Sequence, residues 1–354
     1  MIIVMEPGAS PEAVEAVEKR IRAAGLDVHV SRGVERTLVG AVGDERSLEP
    51  DMFESLPGVE RAMHIVKPYK LVSREWHPGR TDVDVDGAVI GEGAVQVIAG
   101  PCSVETDEQM AAAADAVARG GARLMRGGAF KPRTSPYSFQ GLGTEGLRML
   151  KRAAARHGLP VVTELMDVRH LDAFLAEGVD VIQIGTRNMQ NFDLLKEVGR
   201  IQVPVVLKRG MSATIAEWLM AAEYIAAGGN HRIVLCERGI RTFETAYRNV
   251  LDVTAIPFVK RESHLPVIVD PSHAGGKAWM VSALACAAIA AGADGLLVEV
   301  HPCPSEAWCD ADQALAPDEF ATLMSRLGAV AAAVGRSLAP AGAHWRPDHA
   351  VAHA

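Results

Sequence analysis

The chain has 354 residues, 49% of them hydrophobic and 23% charged, and a formal net charge of −8. That is enough apolar content for a large buried core, in two domains or in one large α/β barrel with an addition. The acidic balance removes the usual electrostatic footprint of a nucleic-acid binder. The longest apolar stretch, Trp279 to Ala291, is well short of the ~20 residues that span a bilayer, and MIIVMEPGAS lacks a basic segment followed by an apolar one, so a cytoplasmic chain with no membrane partner is expected.

In chain order, the apolar run Ile2 to Met5 predicts a strand, and Ser10 caps a helical pattern that ends at Gly25. The alternating stretches LDVHV and RTLVGAV, a short helix near Glu49 to Ser55 and the strand VERAMHIV complete a βαββαβ order, the ferredoxin-like split unit, over residues 1–70. Residues 71–94 read as a linker and a β-hairpin, because Asp86-Gly87 sits between alternating residues. Eight short runs rich in Val, Ile and Leu then recur between Ala- and Leu-rich helical segments: VQVIAGPC, RLMRGGAF, PVVTELM, VIQIGT, PVVLKRG, RIVLCERG, PVIVDPSH and GLLVEVHP. Continuous apolar strands alternating with helices predict a parallel sheet, and eight such repeats predict a (β/α)8 TIM barrel over residues 95–338, with a doubly wound open sheet as the alternative. The Pro-, Gly- and His-containing residues 339–354 read as a disordered tail.

Barrel enzymes carry their chemistry at the C-terminal strand ends. Those ends hold Cys102; Arg126, Lys131 and Arg133; Glu164; Arg187; Lys208 and Arg209; Glu237 and Arg238; Asp270 and His273; and Glu299 and His301. Cations gathered on one face of an acidic protein predict a substrate set with more than one anionic group, since bound anions must offset the self-repulsion. Cys102, His273, Glu299 and Asp310 come from strands one, seven and eight and the last loop, which closure of the barrel makes neighbours. A thiol, an imidazole and two carboxylates suit Mn²⁺, Fe²⁺, Co²⁺ or Zn²⁺ better than Mg²⁺ or Ca²⁺. Cys303 and Cys309 with His301 form a rival set, and the odd count of five cysteines argues against a disulfide framework.

The segments AGPCSVE, GGAFKPRTSPYSFQGLG, QIGTRNMQNF, VLKRGM, LCERGIRTFE, ESHLPVIVDPSHAGG and VEVHPCP resemble, in order, the motifs of 3-deoxy-D-arabino-heptulosonate 7-phosphate (DAHP) synthases, of the type I beta group with an N-terminal ferredoxin-like regulatory domain. The resemblance implies a shikimate-pathway transferase that condenses phosphoenolpyruvate with erythrose 4-phosphate. It places the phosphoenolpyruvate phosphate on Arg187, Lys208 and Arg238 and its carboxylate near Arg126, Lys131 and Lys208. The sugar phosphate falls to Arg133 and Thr134, with Lys131 and Asp310 near its other end. Cys102, His273, Glu299 and Asp310 become the ligands of one divalent metal ion per subunit. Lys131 is positioned to donate to a developing alkoxide, and Glu164 and His273 are both candidates for handling the proton of an attacking water. One departure is Cys309, where the family usually has Ser before the ligand Asp.

The resemblance also implies a homotetramer and feedback inhibition by tyrosine or phenylalanine through the N-terminal domain. His29 and Ser31, alternate residues on one strand and therefore on one face, are the expected contacts. Two other functions compete: a related synthase acting on a longer sugar, such as an octulosonate 8-phosphate or sialic acid synthase, and a non-catalytic amino-acid sensor. KPRTS rather than KANRS favours the four-carbon sugar phosphate, and an intact clamp and ligand set disfavours the sensor.

Overall fold

A strand that is buried on both faces needs partners on both edges, and IIVM supplies one. In the computed structural model, which describes residues 1–33, 36–43, 48–63, 68–133 and 135–340, strand β1 (Ile2–Met5) is buried throughout and pairs antiparallel with β3 (Thr37–Val42) and β4 (Val59–Met63). With β2 (Asp27–Arg32) on the outer edge of β3, the sheet order is β2-β3-β1-β4. Helix α1 (Pro11–Ala23) starts at Ser10, whose side chain accepts from the Ala13 amide at 3.3 Å, and has Pro at its first position. Its buried residues Val14, Val17 and Ile21 follow helical spacing and join Ile3, Val39 and Phe53 of the short α2 (Asp51–Glu54) in one core. Each fully buried aliphatic side chain contributes about 1.5–3 kcal/mol. The element order is the expected ferredoxin-like one.

The chain divides into two compact units, Met1–Gly79 and Arg80–Ala354. The second unit opens with the hairpin β5 (Val83–Val85) and β6 (Ala88–Ile90). Asp86 and Gly87 both take positive φ at its turn, and the Gly87 amide donates to Asp84 Oδ1 at 2.7 Å. A strand and helix alternation follows: β7 (Gln96–Gly100), α3 (Asp107–Arg119), β8 (Leu124–Arg126), α4 (Gly143–Ala155), β9 (Val161–Glu164), α5 (Leu171–Ala176), β10 (Val181–Ile184) and α6 (Phe192–Gly199). It continues through β11 (Val205–Lys208), α7 (Ile215–Ala227), β12 (Ile233–Glu237), α8 (Ala255–Glu262), β13 (Val267–Val269), α9 (Pro271–Gly275), α10 (Ala278–Ala290), β14 (Gly295–Glu299) and α11 (Pro317–Ala333).

Strands β7 to β14 form a closed parallel barrel, with β14 paired along its whole length to β7. The (β/α)8 architecture is therefore present, and the open sheet is not. Inward residues such as Ile98, Leu124, Val162, Val206, Val234 and Ile268 share one core with Val83, Val85, Ala88 and Ile90 of the hairpin. Arg232, immediately before β12, donates to the Asp84 carbonyl, which puts the hairpin under the N-terminal strand ends. The opposite, C-terminal mouth is left open for chemistry. At the far end of the second unit, Ala339 donates to the Val95 carbonyl and Pro340 accepts from Arg123, while residues 341–354 of the expected tail lie outside the described residues. Among the described residues no helix is long and apolar enough to cross a membrane.

Candidate active site

The mouth holds a cavity of about 370 Å³ lined by Arg126, Lys131, Arg133, Glu164, Arg187, Lys208, Arg238, His273 and Asp310. Every one of these was expected from its strand end or from the family motifs. Thr134 lies outside the described residues. His29 and Ser31 are on β2 of the N-terminal unit, where the His29 ring lies 5.2 Å from that of Trp76.

Local chain geometry carries Lys131 into the cavity. Gly128 donates to the Cys102 carbonyl, and a Cβ on Gly128 would lie 2.6 Å from that oxygen, so only glycine lets the two loops approach. The 127–143 loop is then closed by backbone bonds from Lys131 to Gln140 and from Gly143 to Ala129, each 2.9 Å. Lys131 Nζ donates to the Cys102 carbonyl at 2.9 Å and to Cys102 Sγ at 2.8 Å. Ser135 and Ser138, whose purpose the sequence leaves unexplained, line the cavity, and Tyr137 is fully exposed.

Four cations, Arg126, Lys131, Lys208 and Arg238, are at most 9% exposed. Arg126 Nη1 pairs with Glu299 Oε1 at 2.6 Å, and Lys208 pairs with Asp270. Two buried nitrogens of this group, Arg126 Nε and Arg238 Nη1, have no hydrogen-bond partner among the described residues. Burial also pushes the Arg238 guanidinium below its ordinary pKa, so the protein itself does not fully compensate that charge. Such orphan donors cost about 1–3 kcal/mol each, a cost that a bound anion removes.

Cys102, His273, Glu299 and Asp310 converge beside this clamp, with one ligand atom from each lying within 4.8 Å of all the others. No other such group occurs among the described residues. The set fits a divalent metal ion in its wiring as well as its spacing. Asp270 caps α9, accepting from the His273 amide at 2.8 Å, and its Oδ2 lies 2.6 Å from His273 Nδ1. That bond holds the imidazole with Nε2 toward Glu299, 3.3 Å away, the orientation of a metal-ligating histidine backed by a carboxylate. Burial lowers the His273 pKa, keeping the ring neutral as a ligand must be. Burial works to raise the Glu299 carboxyl, but the neighbouring His273 and Arg126 overcome it and bring it down to about 2. Asp310 takes φ 51°, a left-handed conformation unusual for a non-glycine residue and costing about 1 kcal/mol or more, which is typical of functional sites.

The rival set is not assembled. His301 faces Glu105 at 3.3 Å, and the Cys303 thiol lies 3.4 Å from the Ser305 hydroxyl. Cys309 is buried beside the ligands and accepts from Arg133 Nη1 at 3.3 Å. The Cys102 thiol donates to Asp310 Oδ2 at 3.1 Å; the neighbouring Cys309 and burial push that thiol up, while Cys102, Lys131 and Arg133 pull Cys309 down to about 6 against its own burial.

Six of the expected strand-end residues, Cys102, Arg209, Glu237, Asp270, Glu299 and His301, do not line the cavity itself. Arg209 Nη1 bridges Glu237 Oε2 and Asp252 Oδ2, both at 2.9 Å, and so supports the wall from behind. One lining residue was missed: Arg248 donates to Gln313 Oε1 at 2.6 Å, and Gln313 donates to Glu299 Oε2 at 2.6 Å. Arg248 lies in the long loop between β12 and α8, which an isolated bridge between Ile240 and Val250 folds back, and no spacing rule marks that return.

Fold and site together define a (β/α)8 barrel enzyme with a deep polycationic mouth and a four-ligand group able to hold a metal. The sequence pattern of the DAHP synthetase I family matches residues 77–334, and that of the DAHP synthase ferredoxin-like domain matches residues 1–67. Phospho-2-dehydro-3-deoxyheptonate aldolase of Thermotoga maritima is 50% identical over 335 residues, 95% of this chain and 99% of its own. The crystal structure of that DAHP synthase superposes with a TM-score of 0.76 at 49% identity, covering 96% of this chain and 99% of its own. A 2-dehydro-3-deoxyphosphooctonate aldolase of Syntrophotalea carbinolica is more distant, 36% identical over 69% of this chain and 93% of its own. The chain belongs to the DAHP synthetase I family, with that family's ferredoxin-like domain at its N-terminus, and is a DAHP synthase by activity.

Proposed function

We propose that the chain condenses phosphoenolpyruvate with erythrose 4-phosphate and water to give DAHP and inorganic phosphate, the first step of the shikimate pathway. The observation that carries the substrate assignment is the pair of buried, unpartnered guanidinium nitrogens, Arg126 Nε and Arg238 Nη1, in one cavity. Arg187, Lys208 and Arg238 take the phosphoenolpyruvate phosphate, Arg126 and Lys131 its carboxylate, and Arg133 with Thr134 the sugar phosphate. The clamp turns the enol carbon toward the aldehyde, so much of the rate comes from positioning and from fixed positive charge.

Cys102, His273, Glu299 and Asp310 hold the divalent ion, which when bound supplies Lewis-acid polarisation of a carbonyl oxygen. As C3 of the enol attacks the aldehyde carbon, the Lys131 ammonium gives a proton to the forming alkoxide. Water then adds at C2, and the resulting hemiketal phosphate loses inorganic phosphate. Of the two candidates for the water's proton, Glu164 is favoured over His273: both His273 nitrogens are committed, Nδ1 to Asp270 and Nε2 to the ligand group, whereas Glu164 lines the cavity held by Gln183 Nε2 at 3.3 Å.

The N-terminal unit is proposed to bind tyrosine or phenylalanine through His29 and Ser31 and to inhibit the barrel, and the assembly is proposed to be a tetramer. Purified protein titrated with each amino acid tests the first reading. His29→Ala is expected to raise the inhibitory concentration at least tenfold with uninhibited kcat unchanged; unchanged inhibition removes His29 from the site. Light scattering on the eluting protein tests the second, a tetramer mass being expected and a monomer mass overturning it.

A further inference from the structure

The candidate metal ligands do not hold themselves in place. Cys102 sits on the loop after β7, while Glu299 ends β14 and Asp310 lies in the irregular segment beyond it, so three of the four ligands come from two segments that must stay in register. Glu105, 6% exposed, lies where they meet. Its Oε1 accepts from Ser103 Oγ at 2.7 Å and from the Trp308 amide at 2.9 Å, and its Oε2 lies 3.3 Å from His301 Nε2. Ser103 follows Cys102, His301 is two residues past Glu299, and Trp308 is two residues before Asp310. We propose that Glu105 is a positioning residue for the metal centre, its one carboxylate fastening together the backbone segments that carry three of the four ligands. This inference rests on the reading of Cys102, His273, Glu299 and Asp310 as a metal site.

Proton bookkeeping shows why a carboxylate is needed there. The Cys303 amide donates to His301 Nδ1 at 3.1 Å, so that nitrogen is an acceptor and the ring proton resides on Nε2, facing Glu105. The side chain at position 105 therefore meets three donors: a hydroxyl, a backbone amide and an imidazole N–H. A carboxylate, which only accepts, satisfies all three. A glutamine of the same shape must point an N–H at one of them, and His301 cannot change tautomer without orphaning the Cys303 amide. The carboxylate is itself tied to the barrel wall. Gln109, in the first turn of α3, accepts from the Glu105 amide at 3.3 Å and donates to the Ser103 carbonyl at 3.2 Å. Glu105 is not among the residues lining the substrate cavity. It acts through the ligands and not on the substrates.

The test uses the full-length protein, stripped of metal and titrated with Co²⁺, whose thiolate-to-metal charge-transfer absorption reports coordination by Cys102. Glu105→Gln is expected to weaken Co²⁺ binding on the order of 10–100-fold. Saturating metal should restore most of kcat, and KM for phosphoenolpyruvate should stay within about twofold of wild type. A residue that only stabilised the fold would lower the melting temperature and leave Co²⁺ affinity unchanged, and that result overturns the proposal. Ser103→Ala removes a single donor to the same carboxylate and provides the measurement if Glu105→Gln does not fold; a severalfold loss of affinity is expected, and none overturns the proposal. Cys102→Ala separates the two readings. If wild-type protein gives no charge-transfer band, the metal-site reading fails; if it does and Glu105→Gln binds equally well, the positioning role fails.

Discussion

Arg238 is almost wholly buried yet leaves Nη1 without a partner among the described residues, and substitution there shows what the cavity is shaped to hold. Arg238→Lys keeps the charge and loses the planar fork, so kcat/KM for phosphoenolpyruvate is expected to fall on the order of 10²-fold. A fall of less than threefold in steady-state kinetics would show that this nitrogen does not meet substrate. Gly185 gives a sharper test of Glu164. A Cβ on Gly185 would lie 1.9 Å from Glu164 Oε1, and because the Glu164 side chain can move away, Gly185→Ala is expected to displace the carboxylate without unfolding the barrel. If Glu164 handles the proton of the attacking water, kcat drops about 10²-fold or more with the melting temperature nearly unchanged; unaltered kcat assigns that proton elsewhere. The cavity-lining cations and the ligand group are legible in the sequence because they sit at strand ends or in specific motifs. Arg248 lies outside those motifs, and Glu105 closes the AGPCSVE segment without its role being legible there, since each acts through a partner far away in sequence: Arg248 through Gln313, and Glu105 through His301 and Trp308.

The elements that were easiest to read are those whose burial is uniform. Strands such as Val205–Lys208 and Ile233–Glu237 are buried at every residue, which is why they appear as unbroken apolar runs with a charged residue only at the mouth end. The Asp86-Gly87 turn was legible for a local reason, its need for positive φ. Its role was not: the hairpin closes the lower end of the barrel by contacts with residues from β7 to β14, a tertiary fact with no sequence period. Ile90, fully buried in that plug, offers a test at this scale. Ile90→Ala should destabilise the second unit by about 2–5 kcal/mol in denaturant unfolding, with Co²⁺ affinity unchanged because the metal group lies at the other mouth. A change below 1 kcal/mol would mean the plug is not part of the core. Arg209 shows the limit of reading by strand end, since its partners Glu237 and Asp252 convert a mouth cation into a wall support.

Over the whole molecule, a net charge of −8 coexists with a mouth where Arg126, Lys131, Lys208 and Arg238 are all buried. The acidic remainder keeps anions from binding elsewhere and concentrates attraction at one place. That place has room and charge for two phosphates and a carboxylate, beside a thiol, an imidazole and two carboxylates arranged for a divalent ion. The choice between a four-carbon and a five-carbon sugar phosphate rests on the Lys131-to-Ser135 segment and on kinship with the heptonate aldolase. The most direct measurement is a substrate exchange with purified, Mn²⁺-loaded protein, following loss of phosphoenolpyruvate. Consumption is expected with erythrose 4-phosphate, none with arabinose 5-phosphate, and none with either after EDTA. Turnover with arabinose 5-phosphate in place of erythrose 4-phosphate, or full activity after EDTA, would contradict the account.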